Sequence, residues 1–148
     1  MEVDVTLLIA AGEIADDNTL VASCQVATRV IAVDGGVRHL RHLNITPDII
    51  IGDLDSATDD DIEWAENEGA EIIRLDGQNE SDLTKALKLC AERGWTEVMV
   101  NGVEGGRADH QLAVIAALAD ADSSLDIRTH LNRTFVFRFV EGFNGTFT

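Results

Sequence analysis

Asp53 and Asp55, two residues apart in Gly52-Asp53-Leu54-Asp55-Ser56, follow directly on the apolar run Asp48 to Ile51. If an extended strand carries on through them, both carboxylates project to one side. Side-by-side carboxylates repel unless a proton or a cation lies between them. A hard, oxygen-preferring ion such as Mg2+, shared with substrate phosphates, is the natural occupant. The alternative is an acidic turn in which Ser56 or Thr58 caps the next helix. Further acids fall at equivalent places: Asp34 in Asp34-Gly35-Gly36, after the run Arg29 to Val33, and Asp82 at the end of Asp76-Gly77-Gln78-Asn79-Glu80-Ser81-Asp82, after Ala70 to Leu75. With Asp34 and Asp82 beside Asp53 and Asp55, metal binding is the favoured reading.

The glycines of Asp34-Gly35-Gly36 would let a ligand approach the backbone, although Asp-Gly is also a common turn signal. After Glu97 to Val100 comes Gly105-Gly106-Arg107-Ala108-Asp109-His110. Adjacent glycines expose amides, a following helix N-terminus favours anions, and Arg107 can fork onto a phosphate. Asp109 could accept from a ribose or base, or merely cap the helix. Neither a Walker loop nor the dinucleotide GxGxxG pattern is present. His110 reads as structural rather than catalytic, and no Ser-His-Asp or Cys-His arrangement is suggested by spacing.

These motifs need a frame that gathers them. Strands are expected at Val5 to Ala11, Arg29 to Val33, Asp48 to Ile51, Ala70 to Leu75, Glu97 to Val100 and Leu125 to Leu131, mostly continuous apolar runs, as in parallel strands covered on both faces. Helices are expected at Asn18 to Ala27, Val37 to Leu43, Thr58 to Glu68, Ser81 to Arg93 and Ala108 to Ala121. The fold class is therefore α/β: an open, mainly parallel, Rossmann-like sheet with helices on both faces, whose ligands bind at the carboxyl ends of the strands. Residues 1–131 form that domain. Residues 132–148 form a short β-rich C-terminal tail, either a sheet edge or the start of a second, β-rich domain.

A chain of 148 residues holds one domain with a real core. Its net charge of −16 repels nucleic-acid phosphates and is otherwise a device for solubility or for life in salt. Cys24 and Cys90 are far apart, with no metal-ligand spacing, and read as reduced thiols. There is no basic N-terminal region, and no apolar run long enough to span a membrane. The expected location is cytoplasmic.

In order, Ala32-Val33-Asp34-Gly35-Gly36, Pro47-Asp48 through Gly52-Asp53-Leu54-Asp55-Ser56, Ser81-Asp82 leading into Lys85-Ala86-Leu87, and Gly105-Gly106-Arg107-Ala108-Asp109-His110 resemble the catalytic domain of the thiamine pyrophosphokinase family. The resemblance covers residues 5 to 131. It implies transfer of a diphosphate group from ATP to the hydroxyl of thiamine, giving thiamine diphosphate and AMP. It also implies that Asp34, Asp53, Asp55 and Asp82 organise Mg2+ around the ATP phosphates, with Asp53, Asp55 and Asp82 as the catalytic acids. Gln78 and Ser56 would lie beside the phosphates with Gly35 and Gly36, while Gly105, Gly106, Arg107 and Asp109 would hold the nucleotide. The family often has an acid where Asn79 stands, and adds a β-rich C-terminal domain that shapes the thiamine pocket across a homodimer. The rival readings are a pyrophosphokinase for another alcohol, such as 6-hydroxymethylpterin, and a non-catalytic nucleotide-binding module.

Overall fold

The computed structural model describes residues 3–77, 79–131 and 134–139. Among these residues there are seven strands and five α-helices, in the order β1 (Val5–Ile9), α1 (Asp17–Val26), β2 (Arg29–Val33), α2 (Val37–His42), β3 (Ile49–Gly52), α3 (Asp59–Asn67), β4 (Glu71–Arg74), α4 (Asp82–Glu92), β5 (Glu97–Asn101), α5 (Ala108–Asp120), β6 (Asp126–Leu131) and β7 (Thr134–Arg138). They form one sheet in the order β4-β3-β2-β1-β5-β6-β7. All pairings are parallel except β6 with β7. The expected α/β class and open parallel sheet are present. Thr134–Arg138, within the C-terminal tail, pairs antiparallel with β6 at the edge of this same sheet; residues 132–133 and 140–148 lie outside the described residues.

Strand residues alternate between two cores, as the two-residue pleat requires. Leu7, Ile9, Val30, Ala32 and Ile50 pack with Leu20 of α1, Val37 and Leu40 of α2 and Ala65 of α3. Leu8, Ile31, Val33, Ile49, Ile51, Val98 and Val100 pack with Leu83, Ala86, Leu87 and Cys90 of α4 and with Val114 and Leu118 of α5. Helices therefore cover both faces, and the central strands can be apolar on both sides.

The helix starts are set by capping. Asp16 accepts from the Thr19 N–H, Thr58 from that of Asp61 and Ser81 from that of Thr84, each supplying an acceptor to the unpaired amides of a first turn. The Ser81 cap places Asp82 as the first helical residue of α4, which fixes where its carboxylate starts from. Among the described residues no helix is long and apolar enough to cross a membrane.

Candidate active site

The chain runs outward from β1 through β2 and β3 to β4, then crosses back to place β5 on the other side of β1. Ligand clefts in such sheets form at this reversal, outside the carboxyl ends of the strands. A cleft of about 940 Å³ lies there. It is lined by Ala10 to Glu13 after β1, Asp34 and Gly35 after β2, Ser56 after β3, Asp82 and Leu83 of α4, and Gly102 to Arg107 after β5.

The walls meet through close backbone approaches. A Cβ on Gly36 would stand 1.9 Å from the Ile9 carbonyl oxygen, and one on Gly102, at φ +80°, 2.2 Å from that of Ala10. Gly35 has room for little more, its Cβ position being 3.1 Å from Ser56 Cβ and 3.2 Å from Ala11 Cβ. The Asp34-Gly35-Gly36 glycines therefore serve first to dock the turn after β2 against β1 and the β3 loop.

Asp34, Asp53 and Asp82 come together: each offers a carboxylate oxygen within 4.8 Å of the other two. Asp34 starts a 3-10 turn in the left-handed region, at φ +47°. Its Oδ1 accepts from the backbone N–H groups of Ser56 (3.1 Å) and Ala57 (3.0 Å), binding the β3 loop to the end of β2. The backbone N–H of Asp53 donates to Asp82 Oδ1 at 3.2 Å. Asp82 can come this close because Gly52, at φ +141°, carries no side chain.

The expected extended run through Asp53 and Asp55 is not observed. β3 ends at Gly52, and the chain turns through Leu54 at φ +66°, with the Leu54 side chain buried. Asp55 thus lies outside the trio, is exposed, and donates its backbone N–H to Asp53 Oδ1 at 3.0 Å.

Burial first, and then hydrogen bonding with Asp82, push the Asp34 carboxyl up to about 6, so the trio holds a proton more readily than free carboxylates do. Asp53 moves the other way, chiefly because its carboxylate accepts the Asp55 N–H. A set of oxygen donors this close, one of them buried and reluctant to ionise alone, fits a hard divalent cation such as Mg2+, which takes a few carboxylates and keeps some of its waters.

Lys85 had no role in the sequence reading. It is buried, 6% exposed, one turn beyond Asp82. Its ammonium donates to Asp82 Oδ1 at 3.2 Å and to the Leu75 carbonyl at 2.9 Å, tying the end of β4 to the acid. A lysine inside an amphipathic helix reads as a solvated one, and only the spacing Asp82-x-x-Lys85 hinted at this contact.

At the other end of the cleft, Gly105 and Gly106 take φ +89° and +79°. Gln111 braces their loop by donating to the carbonyls of Val103 (3.0 Å) and Gly105 (2.6 Å). Arg107 precedes α5, is 89% exposed, and pairs with Asp109 Oδ1 at 3.4 Å. Asp109 does not cap the helix for a distant amide; its Oδ1 accepts from the adjacent His110 N–H. Ser56 lines the cleft, while Gln78 lies outside the described residues.

The fold and this cleft define a doubly wound α/β domain with an acid-lined ligand site at its switch point. The family profile for the thiamin pyrophosphokinase catalytic domain matches residues 21–129, and the chain belongs to that family. No curated protein matches the chain by sequence. Among solved structures it is similar to a thiamin pyrophosphokinase from Candida albicans (22% identity, TM-score 0.72, covering 85% of this chain and 57% of that one). It is also similar to the yeast enzyme (18%, TM-score 0.72, 88% and 59%) and to thiamine pyrophosphokinase from Bacillus subtilis (26%, TM-score 0.71, 86% and 60%). The chain thus spans 57–60% of the length of these relatives.

Proposed function

We propose that this chain is a thiamine diphosphokinase catalytic domain that binds Mg-ATP in the switch-point cleft and transfers the diphosphate group to the hydroxyl of thiamine, releasing AMP. The observation that carries this reading is the meeting of Asp34, Asp53 and Asp82, two of which, Asp34 and Asp82, line a cleft that the Gly105-Gly106-Arg107 loop also lines. One end suits a metal-bound phosphate chain, and the other suits an anion or a nucleotide.

In this reading the trio holds Mg2+, which when bound neutralises charge on the phosphate oxygens. Lys85 keeps Asp82 aimed by occupying its Oδ1, and Asp34 holds the β3 loop in place through its contacts with the Ser56 and Ala57 amides. Ser56, Gln78, Gly35 and Gly36 border the phosphates, and Gly105, Gly106, Arg107 and Asp109 take the nucleotide. Asp55 joins Asp53 and Asp82 as a catalytic acid by engaging the metal–nucleotide complex from the exposed turn. Binding of the alcohol in line with the β-phosphorus then supplies most of the catalysis, as positioning does in phosphoryl transfer generally.

The pairing of two copies, a β-rich portion following residue 131 that completes the acceptor pocket, and a cytoplasmic location belong to the same reading. Light scattering tests the first.

The deciding assay incubates the protein with Mg-ATP and either thiamine or 6-hydroxymethylpterin, and measures AMP together with the diphosphorylated alcohol. AMP and thiamine diphosphate in equal amounts are expected. AMP formed only with the pterin moves the acceptor, and nucleotide binding without AMP from either alcohol removes the enzymatic reading.

A further inference from the structure

Arg38 lies one residue into α2 and lines the cleft. One of its guanidinium N–H groups donates to the Ala11 carbonyl at 3.2 Å, which holds the head beside the end of β1. The sequence has 27 acidic residues against 11 basic ones, and the cleft itself includes Glu13, Asp34, Asp82 and Glu104. Yet among the described residues Arg38, like Arg74, Arg128 and Arg138, pairs with no carboxylate, whereas Arg29, Arg41, Lys85, Lys88, Arg93 and Arg107 each do. Of the four without such a pair, only Arg38 is among the residues lining the cleft.

Gly35 lies between the loop that anchors Arg38 and the loop that binds Asp34. Its Cβ position lies 3.2 Å from Ala11, which anchors Arg38, and 3.1 Å from Ser56, whose amide binds Asp34. Arg38 and two members of the trio, Asp34 and Asp82, line the same cleft. Among the described residues Arg38 and Arg107 are the two arginines lining the cleft, and Arg107 is paired with Asp109.

We infer that Arg38 is a phosphate-binding residue, its free N–H groups taking the oxygens of a nucleotide di- or triphosphate whose metal is held by the neighbouring acids. This rests on the Mg-ATP reading above and adds to it a residue outside the recognised motifs. A planar guanidinium fixed at one edge presents its remaining donors as a preorganised fork, the geometry that suits phosphate oxygens. The competing role is purely structural: a staple from α2 to the loop after β1.

Substitution separates the two, because Arg38→Gln keeps a polar N–H side chain, though a shorter one, but no charge, and Arg38→Lys keeps the charge. Calorimetric titration of α,β-methylene-ATP with Mg2+ should show the Gln variant binding about 10- to 100-fold more weakly than wild type, the loss expected for a charge-assisted hydrogen bond. The melting temperature should be unchanged and the Lys variant should recover part of the affinity. Wild-type affinity in Arg38→Gln overturns the inference, as does an equal loss in both variants accompanied by lower melting temperatures, which is the signature of a staple. Failure of the wild type to bind the analogue overturns the Mg-ATP reading itself, and Arg38 falls with it.

Discussion

The carboxylate of Asp82 rests against the bare backbone of Gly52: a Cβ at that glycine would stand 3.0 Å from Asp82 Cγ. The last residue of β3 and the first of α4 thus share one small volume, and the acid trio exists because one of them has no side chain. Gly52→Ala should lower stability by about 1–3 kcal/mol, since φ +141° strains any L side chain. It should also weaken Mn2+ binding by about 10-fold as Asp82 is pushed aside, the scale seen when a ligand loses its support. Denaturant titration and Mn2+ titration followed by electron paramagnetic resonance check both. Unchanged Mn2+ affinity would remove Asp82 from the ion site.

Asp53 and Asp55 should separate in a nucleotide-free binding measurement. Asp53→Asn removes a member of the trio and should cost Mn2+ affinity about 10-fold or more. Asp55→Asn, which leaves the trio intact, should stay within about threefold of wild type. Turnover should fall roughly 100-fold or more in both variants, if Asp55 engages only the metal–nucleotide complex. Near-normal turnover in Asp55→Asn would strike it from the catalytic acids.

Proton linkage at Asp34 has a definite sign. Its carboxyl rises from 3.8 to about 6 in the fold, so between those values the native state binds more protons than the unfolded chain, and stability falls as pH rises through the window. Other carboxylates, Asp53 among them, are lowered and act oppositely, so the informative quantity is the difference from Asp34→Asn. In metal-free buffer that variant should gain on wild type from about pH 4 to about pH 6 and keep its advantage above. A flat difference across the window would show that Asp34 ionises normally.

Salt should stabilise the protein. With a net charge of −16, mutual repulsion of surface acids is screened as ionic strength rises. Between about 0.1 M and about 2 M KCl the melting temperature should climb by about 5 °C, on the order of 1–2 kcal/mol for a domain of this size. Calorimetry measures it directly, and a constant melting temperature would mean that the acids are already balanced by local contacts.

The fold was legible because parallel strands covered on both faces declare themselves as continuous Val/Ile/Leu runs: Arg29–Val33 is a strand over the very residues its run marks. The convergence of Asp34, Asp53 and Asp82 was legible from position alone, since each follows a strand. The turn between Asp53 and Asp55 was not legible, because nothing in Gly-Asp-Leu-Asp-Ser reveals that Leu54 adopts a positive φ and buries its side chain. The packing of Gly35 and Gly36 against Ile9, Ala11 and Ser56 was not legible, because it is a tertiary contact that no local pattern encodes. Lys85 and Arg38 were overlooked for a similar reason: a basic residue on a helix declares neither what it is buried against nor which carbonyl it holds.

The interlocking of Gly36 with Ile9 and of Gly102 with Ala10 has an evolutionary corollary. Where main chains touch, even a methyl group is excluded, so descent with modification cannot reshape the floor of the cleft. Drift toward a new ligand would have to occur among side chains that line the cleft, such as Glu13, Glu104, Arg107 and His110, while the base beneath them stays frozen.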